Sequence, residues 1–463
     1  MGISVMPPNL LIVTLDCARH DHVLGNEALT PTIDSLREEG ITFHRAYSQA
    51  ASTIPSLYSL FTSLYPHQHG QYSNKRYTSM KEKGLPAMMA SEGWKIGGFT
   101  GIYFLTDPVA RDFGTKDKIE PLPVLNDKLG LGPTRLGSPP WKGLFAQRFL
   151  KPLMYYLGLL KITRDADKTV NKAITWLHDH RERPFFLWVH LFDAHMVYYA
   201  PRKWVRHYYK GNPKKGEKNI IQQLKEKKIW FVEESYSQVF EDIYDLHYFP
   251  ARYKAAISYI DEELKRLIAY LKTIGAYENT MVVITSDHGE NLGERGIYCT
   301  HRKLFDETTH VPLIVKLSGN DFKGKEIESL VEHVDLLPTI LDYLNMSVPD
   351  GISGRSLMPL LHRESLSPKL SFSEHEDGLQ FVIRWKDWQY YFTDPEVANP
   401  YPFPFENNLL LNTSSALEKI EKAEPELKRW LQQELLQRIT PARLYYLRDK
   451  GKVDARLRAL GYL

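Results

Sequence analysis

The chain has 463 residues, of which 43% are hydrophobic and 25% charged; this excludes disordered and fibrous proteins and fits one large domain with a smaller companion. The formal net charge of +3 is close to neutral for this length and gives no support for nucleic acid as a partner. The two cysteines, Cys17 and Cys299, imply no disulfide framework.

The sequence predicts neither a secretory signal nor a membrane span. Residues 1–8 lack the charged, apolar and small-residue sections of a secretory signal. The longest apolar candidate, residues 144–160, is interrupted by Arg148, Lys151 and Pro152. We interpret it as a core or docking helix, with a membrane-surface helix as the alternative. The expected location is the cytoplasm, and the oligomeric state is not predicted.

Three runs of apolar residues predict strands that are buried on both faces. They cover residues 9–15, 185–191 and 281–285, and continuous apolar runs of this length are typical of parallel strands. Helical patterns separate the runs along the chain. The sequence therefore predicts an α/β fold with a mostly parallel central sheet and helices on both of its faces.

Two helices can be placed from their patterns. The first has Thr30 as its N-cap and Pro31 as its first helical residue, and Gly40 closes it. The second covers about residues 253–275. Its apolar side chains recur at spacings of three and four residues and form one stripe, made of Ile257, Ile260, Leu264, Leu267 and Leu271.

The pattern changes after about residue 370. Residues 380–393 predict a β-hairpin that turns at Lys386 and Asp387, and residues 414–438 predict a charged helix. These elements indicate a small α+β region at the carboxyl end of the chain.

We predict two domains, a catalytic α/β domain at residues 1–370 and a small α+β domain at residues 371–463. Within the first domain, residues 200–250 are predicted to form an insertion. Its lysine-rich part, residues 210–228, is interpreted as a solvated segment, and a substrate-facing lid is the alternative.

An acidic residue follows each of the three predicted strands. Asp16, Asp193 and Asp287 come directly or closely after the apolar runs. Because the carboxyl ends of parallel strands meet at one edge of a sheet, functional groups gather there. Spacing alone also allows three ordinary loop carboxylates.

A metal site is predicted from the pair Asp287 and His288. An Asp–His pair directly after a strand can offer one oxygen and one imidazole nitrogen to the same cation, and Asp16 can add a second carboxylate. The hydroxyl of Thr53 is a fourth candidate ligand. We expect one divalent cation, Mn²⁺ first, with Mg²⁺, Ca²⁺ and Zn²⁺ as alternatives.

Thr53 precedes an apolar helical stretch and is predicted to be its N-cap, with Pro55 in the first turn. The start of a helix presents free N–H groups and a positive potential, which favour an anion. A hydroxyl there could attack phosphorus or sulfur once a cation or a base activates it. The alternative is a hydroxyl that only caps the helix.

These motifs together resemble the sulfatase family of the alkaline phosphatase superfamily, in the family's order along nearly the whole chain. The matching segments are residues 11–16 with Arg19 and Asp21, then 30–34, 46–48, 53–56, 65–70, 285–290, 311–315, 334–339 and 354–357. The resemblance implies a metal-dependent hydrolase of sulfate or phosphate esters. It also implies a small-molecule or glycan ester as the substrate.

The resemblance suggests roles for two histidines. His195 would protonate the leaving group as a general acid or stabilise the negative charge of the ester. The alternative is a histidine with only a structural role. His301 falls on or beside the position where many relatives place a substrate-binding lysine. It is also a predicted catalytic residue that could assist the resolution of a covalent Thr53 ester, for which a second cation is the alternative. His190 lies within an apolar run and is interpreted as structural.

Three further residues are candidates for substrate binding. Asn74 matches a substrate-contacting asparagine of some relatives. Arg19 either contacts the substrate or stabilises the turn that follows Asp16. Lys303 is the second candidate for the substrate-binding lysine of the family. The alternative is a solvent-exposed lysine without that role.

Three residues depart from the family's pattern. Family sulfatases convert a Cys or Ser to formylglycine where this chain has Thr53, which cannot form that aldehyde. Leu57 replaces the signature arginine, and Cys17 replaces the second acidic residue of the metal turn. A threonine nucleophile resembles the phosphodiesterase and phosphoethanolamine-transferase relatives, so a phosphoester is favoured over a sulfate ester.

Two other functions stay open. A transferase would pass the phosphoryl group from Thr53 to an alcohol of a glycan or lipid, and an inactive relative would retain only metal binding.

The spacing from Asp193 to His195 differs from that of two-metal relatives, so one cation is expected.

Overall fold

The computed structural model describes residues 7–74, 80, 84–102, 105, 111–115, 163–181, 184–226, 242–301, 303–319, 322–362, 366–367, 369–375, 380–393, 409–412, 427, 429–435 and 437. The predicted helix at residues 144–160 and most of the one at residues 414–438 lie outside the described residues.

A seven-stranded sheet forms the centre of the described structure. In chain order the strands are β1 (Asn9–Leu15), β2 (Ile41–Tyr47), β3 (Lys95–Thr100), β4 (Phe185–Leu191), β5 (Thr280–Thr285), the ribbon β6 (Asn291–Leu292) and β7 (Tyr298–Thr300), β8 (His310–Lys316) and β9 (Lys325–Glu332). All except the ribbon form one sheet in the order β3-β4-β1-β5-β8-β2-β9. β8 runs antiparallel to β5 and β2, and the other neighbours are parallel. The predicted mostly parallel sheet is confirmed, and β8 is an antiparallel strand that the sequence did not predict.

Helices cover both faces of this sheet. In chain order they are α1 (His20–Val23), α2 (Pro31–Glu39), α3 (Thr53–Thr62), α4 (Pro66–His69), α5 (Leu85–Ser91), α6 (Ala166–His180), α7 (Arg202–Tyr208), α8 (Ile220–Glu226), α9 (Tyr248–Thr273), α10 (Asp306–Thr309), α11 (Leu336–Tyr343) and α12 (Met358–Leu361). Among the described residues, no helix combines the length and apolar character that crossing a membrane requires.

The two faces of β1 enter two separate apolar clusters. Leu11 and Val13 pack in a cluster with α6 and α9, whereas Leu10 and Ile12 pack in a cluster with α3 and α11. Successive side chains of a strand point to opposite faces, so β1 is buried between two layers of helices. The apolar stripe predicted for the second helix is confirmed, since its five residues are buried on α9 in the first cluster.

The start of α2 differs from the prediction in its capping group. Thr30 occupies the N-cap position, but its hydroxyl donates to the carbonyl oxygen of Val23 at 3.2 Å. The carboxylate of Asp261, on α9, accepts the free N–H groups of Thr32 at 3.0 Å and Ile33 at 2.9 Å. A tertiary contact therefore replaces the local cap, and it fixes α2 against α9.

A second, antiparallel sheet lies at the carboxyl end. Its strands are β10 (Ser371–Glu374), β11 (Gln380–Trp385), β12 (Trp388–Thr393) and β13 (Leu409–Asn412), paired in that order. The predicted hairpin is confirmed as β11 and β12, and Lys386 has the left-handed φ of +50° in the turn. Phe372 and Phe381 share one apolar cluster with Tyr65 and Val334 of the main part. The division into domains at residue 370 stays a prediction.

The region predicted as an insertion contains α7 and α8. The indole N–H of Trp204 on α7 donates to Glu262 on α9 at 2.8 Å, which attaches α7 to the main part. Residues 210–218, apart from Pro213, are exposed, as a solvated segment would be. Residues 227 and 228 lie outside the described residues.

Acid should destabilise the fold through His20, whose ring stacks on His310 with a centroid separation of 4.0 Å. Burial, followed by the charges of His310 and His44, lowers the pKa of His20 from 6.5 to about 3. The unfolded chain therefore binds this proton first, and the free energy of unfolding falls as pH drops from about 6.5 toward 3. We expect His20→Phe to reduce that fall by up to about 1.4 kcal/mol per pH unit, measured by urea unfolding at several pH values.

His178→Phe is the matched control, because it replaces an exposed histidine on α6. The free energy of unfolding of this variant should keep the wild-type pH dependence. If His20→Phe also kept it, His20 would not be the group that titrates.

Candidate metal centre and active site

The carboxyl ends of β1 and β5 bring two aspartates together. β1 lies beside β5 with Thr14 opposite Thr285, so Asp16 and Asp287 leave the same edge of the sheet. Both aspartates are fully buried. With His288 they form a group in which one ligand atom of each residue lies within 4.8 Å of the others.

One oxygen of each aspartate fits a cation. Oδ1 of Asp16 and Oδ2 of Asp287 are buried and have no hydrogen-bond partner within the part of the chain that the structure describes. Oδ1 of Asp287 accepts the backbone N–H of Cys17 at 3.2 Å and of His288 at 2.8 Å. A buried carboxylate oxygen without a partner is costly, and a divalent cation bound by both oxygens would remove that cost.

The charged states of these groups depend on one another. Burial raises the pKa of Asp16, but the hydrogen bond from His190 and the charges of nearby histidines outweigh burial, so that its pKa is well below the ordinary value. Burial, followed by the negative charge of Asp16, raises the pKa of Asp287. Burial, followed by the negative charges of Glu290 and Asp16, raises the pKa of the Cys17 thiol well above its ordinary value. The pair of carboxylates therefore resists joint ionisation unless a cation is present.

The imidazole of His288 is turned so that Nε2 faces the aspartates. Nδ1 lies 2.9 Å from the carbonyl oxygen of Gly289, so Nδ1 carries the proton and Nε2 the lone pair. Nε2 lies 3.5 Å from Oδ2 of Asp287 and 3.4 Å from Oγ1 of Thr53. The structure thus brings the four predicted metal ligands, Asp16 included, to one place.

A chain of hydrogen bonds from β4 orients Asp16. The indole N–H of Trp188 donates to Oγ1 of Thr14 at 2.9 Å, and this hydroxyl lies 2.7 Å from Nδ1 of His190. Because the indole nitrogen can only donate, the Thr14 proton is available to Nδ1, and Nε2 of His190 donates to Oδ2 of Asp16 at 2.9 Å. The interpretation of His190 as merely structural is incomplete, since its ring holds a candidate metal ligand.

The turn that follows β1 is held by side chains from β5 and α9. Cys17 has a left-handed φ of +61°, which is uncommon for a residue with a Cβ atom. The hydroxyl of Tyr253 donates to the carbonyl oxygen of Cys17 at 2.6 Å. The hydroxyl of Ser286 donates to the carbonyl oxygen of Leu15 at 2.6 Å and accepts the N–H of Ala18 at 3.0 Å. These hydrogen bonds therefore tie the end of β1 to the end of β5.

Thr53 is the first residue of α3, and Ser52 occupies the N-cap position. The prediction that Thr53 is the N-cap is therefore wrong by one residue. Its side chain, 1% exposed, contacts His288 rather than the backbone at the helix start. Asn74 accepts the N–H of Ile54 at 2.8 Å, so this predicted substrate-binding residue supports the first turn of α3.

Two histidines and a thiol lie next to the metal ligands. The ring of His301 lies 4.4 Å from that of His288 and 5.4 Å from that of His195, measured between centroids. Sγ of Cys17 lies 3.6 Å from Nδ1 of His288 and 4.0 Å from Nδ1 of His301. Ligand atoms of Asp16, Cys17 and His195 also lie within 4.8 Å of one another. Both predicted catalytic histidines thus belong to the same cluster as the predicted metal ligands, and Cys17 is a further member that the sequence did not predict.

Arg19 and Lys303 are engaged by other side chains. The guanidinium of Arg19 donates to Asp21 and to Glu294, each at 2.6 Å. These two carboxylates hold the arginine side chain in place, as the structural alternative for Arg19 predicts. Nζ of Lys303 donates to Oε1 of Gln380, on β11, at 3.2 Å. A substrate-binding role for either residue stays a prediction.

Asp193 does not join the two other aspartates. Its Oδ1 accepts the N–H of Ala166 at the start of α6, at 3.2 Å, and burial raises the pKa of its carboxyl group well above the ordinary value. The expected convergence of all three strand-end aspartates is therefore wrong for Asp193. Its carboxyl group instead satisfies a free amide at a helix start.

The site as a whole has the parts of a metal-dependent ester hydrolase. It combines two buried carboxylates and an imidazole with a hydroxyl at the start of a helix, and these groups can bind a divalent cation and an anionic ester. A family model described as Sulfatase matches residues 8–346. The chain belongs to the sulfatase family and is an ester hydrolase of that family, which depends on a divalent metal ion.

Named relatives and solved structures agree with this membership. The chain is 24% identical to an N-acetylglucosamine-6-O-sulfatase of Bacteroides thetaiotaomicron, over 82% of this chain and 78% of that protein. It is 26% identical to the multifunctional alkaline phosphatase superfamily protein PehA of Trinickia caryophylli, over 76% of this chain and 77% of that protein. The crystal structure of a phosphonate monoester hydrolase of Agrobacterium radiobacter has the same fold, with a TM-score of 0.65, 20% identity and coverage of 95% and 96%.

Replacing His190 should weaken cation binding although His190 is not itself a predicted metal ligand. In His190→Phe, Asp16 loses the N–H that orients it, and loss of such a supporting contact weakens metal affinity by about 10- to 100-fold. Competition with a chelating dye measures the affinity for Mn²⁺.

His178→Phe serves as the control for introducing a phenylalanine, because His178 is exposed and belongs to α6. Unchanged Mn²⁺ affinity in a folded His190→Phe protein would show that His190 does not position Asp16.

Proposed function

We propose that the protein hydrolyses a phosphate or sulfate ester through a covalent ester of Thr53, with a phosphoester favoured. The placement of Thr53 is the observation that carries this proposal. Its hydroxyl lies at the start of α3 and 3.4 Å from Nε2 of His288, beside two buried carboxylates. A hydroxyl that is free of a capping role and lies next to metal ligands has the setting that an activated nucleophile needs.

Asp16, Asp287, His288 and the Thr53 oxygen would hold one divalent cation. When bound, the cation would lower the pKa of the Thr53 hydroxyl and withdraw charge from a non-bridging oxygen of the ester. These four ligands by themselves favour Mn²⁺ and also accept Mg²⁺, Ca²⁺ or Zn²⁺.

Thr53 would then give its proton to water and attack phosphorus or sulfur from the start of α3, while the bond to the leaving oxygen breaks. The positive end of the helix stabilises the negative charge on the group under attack. Asn74 accepts the N–H of Ile54, which keeps this first turn in place while Thr53 reacts. Together these contacts hold Thr53 in one orientation toward the ester.

His195 is the candidate that protonates the leaving alkoxide. Nδ1 of His195 lies 2.9 Å from the carbonyl oxygen of Met196 and donates to it, so that in the imidazolium form Nε2 would pass its proton to the leaving group. His301 lies against both His195 and His288. It is the candidate base for the water that resolves the threonyl ester, because a threonyl ester cannot collapse as a formylglycine hydrate does.

A phosphoester is favoured because Thr53 cannot provide the formylglycine on which family sulfatases rely. Relatives by sequence carry names of both kinds, an N-acetylglucosamine-6-O-sulfatase and a multifunctional alkaline phosphatase superfamily protein. We propose a small-molecule or glycan ester as the substrate.

Four aryl esters decide the reaction type: a sulfate, a phosphate monoester, a phosphate diester and a phosphonate monoester, each assayed with and without added Mn²⁺. We expect turnover of a phosphorus ester. Thr53→Ala and Asp287→Ala should each reduce it by at least about 10³-fold, since both remove parts of one catalytic unit.

Thr62→Ala is the matched control, because Thr62 is buried at the other end of α3 and its hydroxyl donates to the carbonyl oxygen of Tyr58. It should keep nearly full activity. Sulfate turnover by the wild-type protein would contradict the preference for phosphorus, and full activity of Thr53→Ala would contradict the proposed nucleophile.

A further inference from the structure

We propose that Cys17 binds the cation of this site as a thiolate ligand, and that the site selects Zn²⁺ over Mn²⁺ and Ca²⁺. The inference rests on the metal site of the proposed function and adds a protein ligand to Asp16, Asp287 and His288. It also concerns the one sulfur atom of the site, which has no role in the proposed reaction.

The position of Sγ supports this assignment. Three groups of side chains in the described structure could hold a metal ion, and Cys17 belongs to two of them, one with His288 and His301 and one with Asp16 and His195. In the second group, a carboxylate oxygen of Asp16 lies within 4.8 Å of Sγ. The thiol therefore lies beside a carboxylate that the proposed function assigns to the cation.

The carboxylates supply an independent observation that points to a cation at the same place. Oδ1 of Asp16 and Oδ2 of Asp287 are fully buried without a hydrogen-bond partner in the described ranges. Asp16 is the residue directly before Cys17, and the N–H of Cys17 donates to the other oxygen of Asp287. A cation bound by these two oxygens would therefore lie next to the backbone of Cys17, and Sγ lies within 4.8 Å of a carboxylate oxygen of Asp16.

The chemistry of sulfur then decides which cation binds. A thiolate carries the same charge as a carboxylate, but it offers a soft sulfur instead of a hard oxygen. Zn²⁺ accepts carboxylate, imidazole and thiolate ligands together, whereas Mn²⁺ and Ca²⁺ prefer oxygen. On binding, the thiol proton passes to water and a sulfur–metal bond forms.

Cys299 provides an internal comparison. It is buried, and its φ of +52° is left-handed like that of Cys17. In the described part of the chain, Cys299 belongs to none of the three groups that could hold an ion. Since the chain has two cysteines, any thiolate bond to a metal can be assigned to one of them by substitution.

The test is the absorption spectrum of the full-length protein titrated with Co²⁺, a spectroscopic substitute for Zn²⁺. A thiolate bound to Co²⁺ gives a charge-transfer band in the near ultraviolet, and carboxylate and imidazole ligands alone give only the weaker visible bands. We expect the charge-transfer band in the wild type and in Cys299→Ser, and its loss in Cys17→Ser and Cys17→Asp. In parallel, competition assays should show that Cys17→Asp shifts the preference from Zn²⁺ toward Mn²⁺.

The Cys299→Ser protein alone suffices if the Cys17 variants do not fold, because Cys17 is then the one thiol that can produce the band. Visible bands without charge transfer in the wild type would overturn the role of Cys17 and leave the site of Asp16, Asp287 and His288 intact. A band that disappears in Cys299→Ser and persists in Cys17→Ser would also overturn it. Failure to bind Co²⁺ at all would overturn the metal site itself, together with the proposed function.

Discussion

The fold is organised around two buried carboxylates, Asp16 and Asp287, that meet at the ends of neighbouring parallel strands. Two like charges about 4 Å apart repel by about 4 kcal/mol even at an effective dielectric constant of 20, and each of these groups keeps one oxygen without a partner among the described residues. Burial and the charge of Asp16 raise the pKa of Asp287. A divalent cation bound by both carboxylates would offset the repulsion, which would couple folding to metal binding at this pair.

The surrounding structure holds this pair in place from several elements. Ser286 ties the end of β1 to the end of β5, and Tyr253 of α9 holds the turn at Cys17. His190 of β4 aligns Asp16. A close backbone approach completes the site, since a Cβ atom at Gly289 would lie only 2.1 Å from the carbonyl oxygen of Glu307. The hydroxyl of Thr53 then reaches His288 from α3 on the other face of the sheet. These contacts come from several elements, so the site forms only when β1, β4, β5, α3 and α9 are assembled.

The central strands and the grouping of Asp16, Asp287 and His288 could be predicted because their signals are local. The apolar runs of β1, β4 and β5 and the Asp–His pair at residues 287 and 288 are visible in short windows of sequence. Features that depend on register or tertiary contact could not be predicted. The antiparallel direction of β8, the capping of α2 by Asp261 and the contact of His190 with Asp16 all join residues far apart in the chain. Asp193 was misplaced for the same reason, because its partner is the start of α6. A histidine inside a buried strand was the clue to His190, but only the pairing of β1 with β4 shows what it touches.

In the proposed mechanism Thr53 forms a covalent ester, so the reaction consists of two successive displacements at one atom. The most direct measurement is the stereochemical course at phosphorus, followed with a phosphorothioate diester of known configuration that is hydrolysed in isotopically labelled water. Two in-line displacements, first by Thr53 and then by water, predict net retention of configuration. Net inversion would mean that water attacks the ester directly, and it would contradict the role assigned to Thr53.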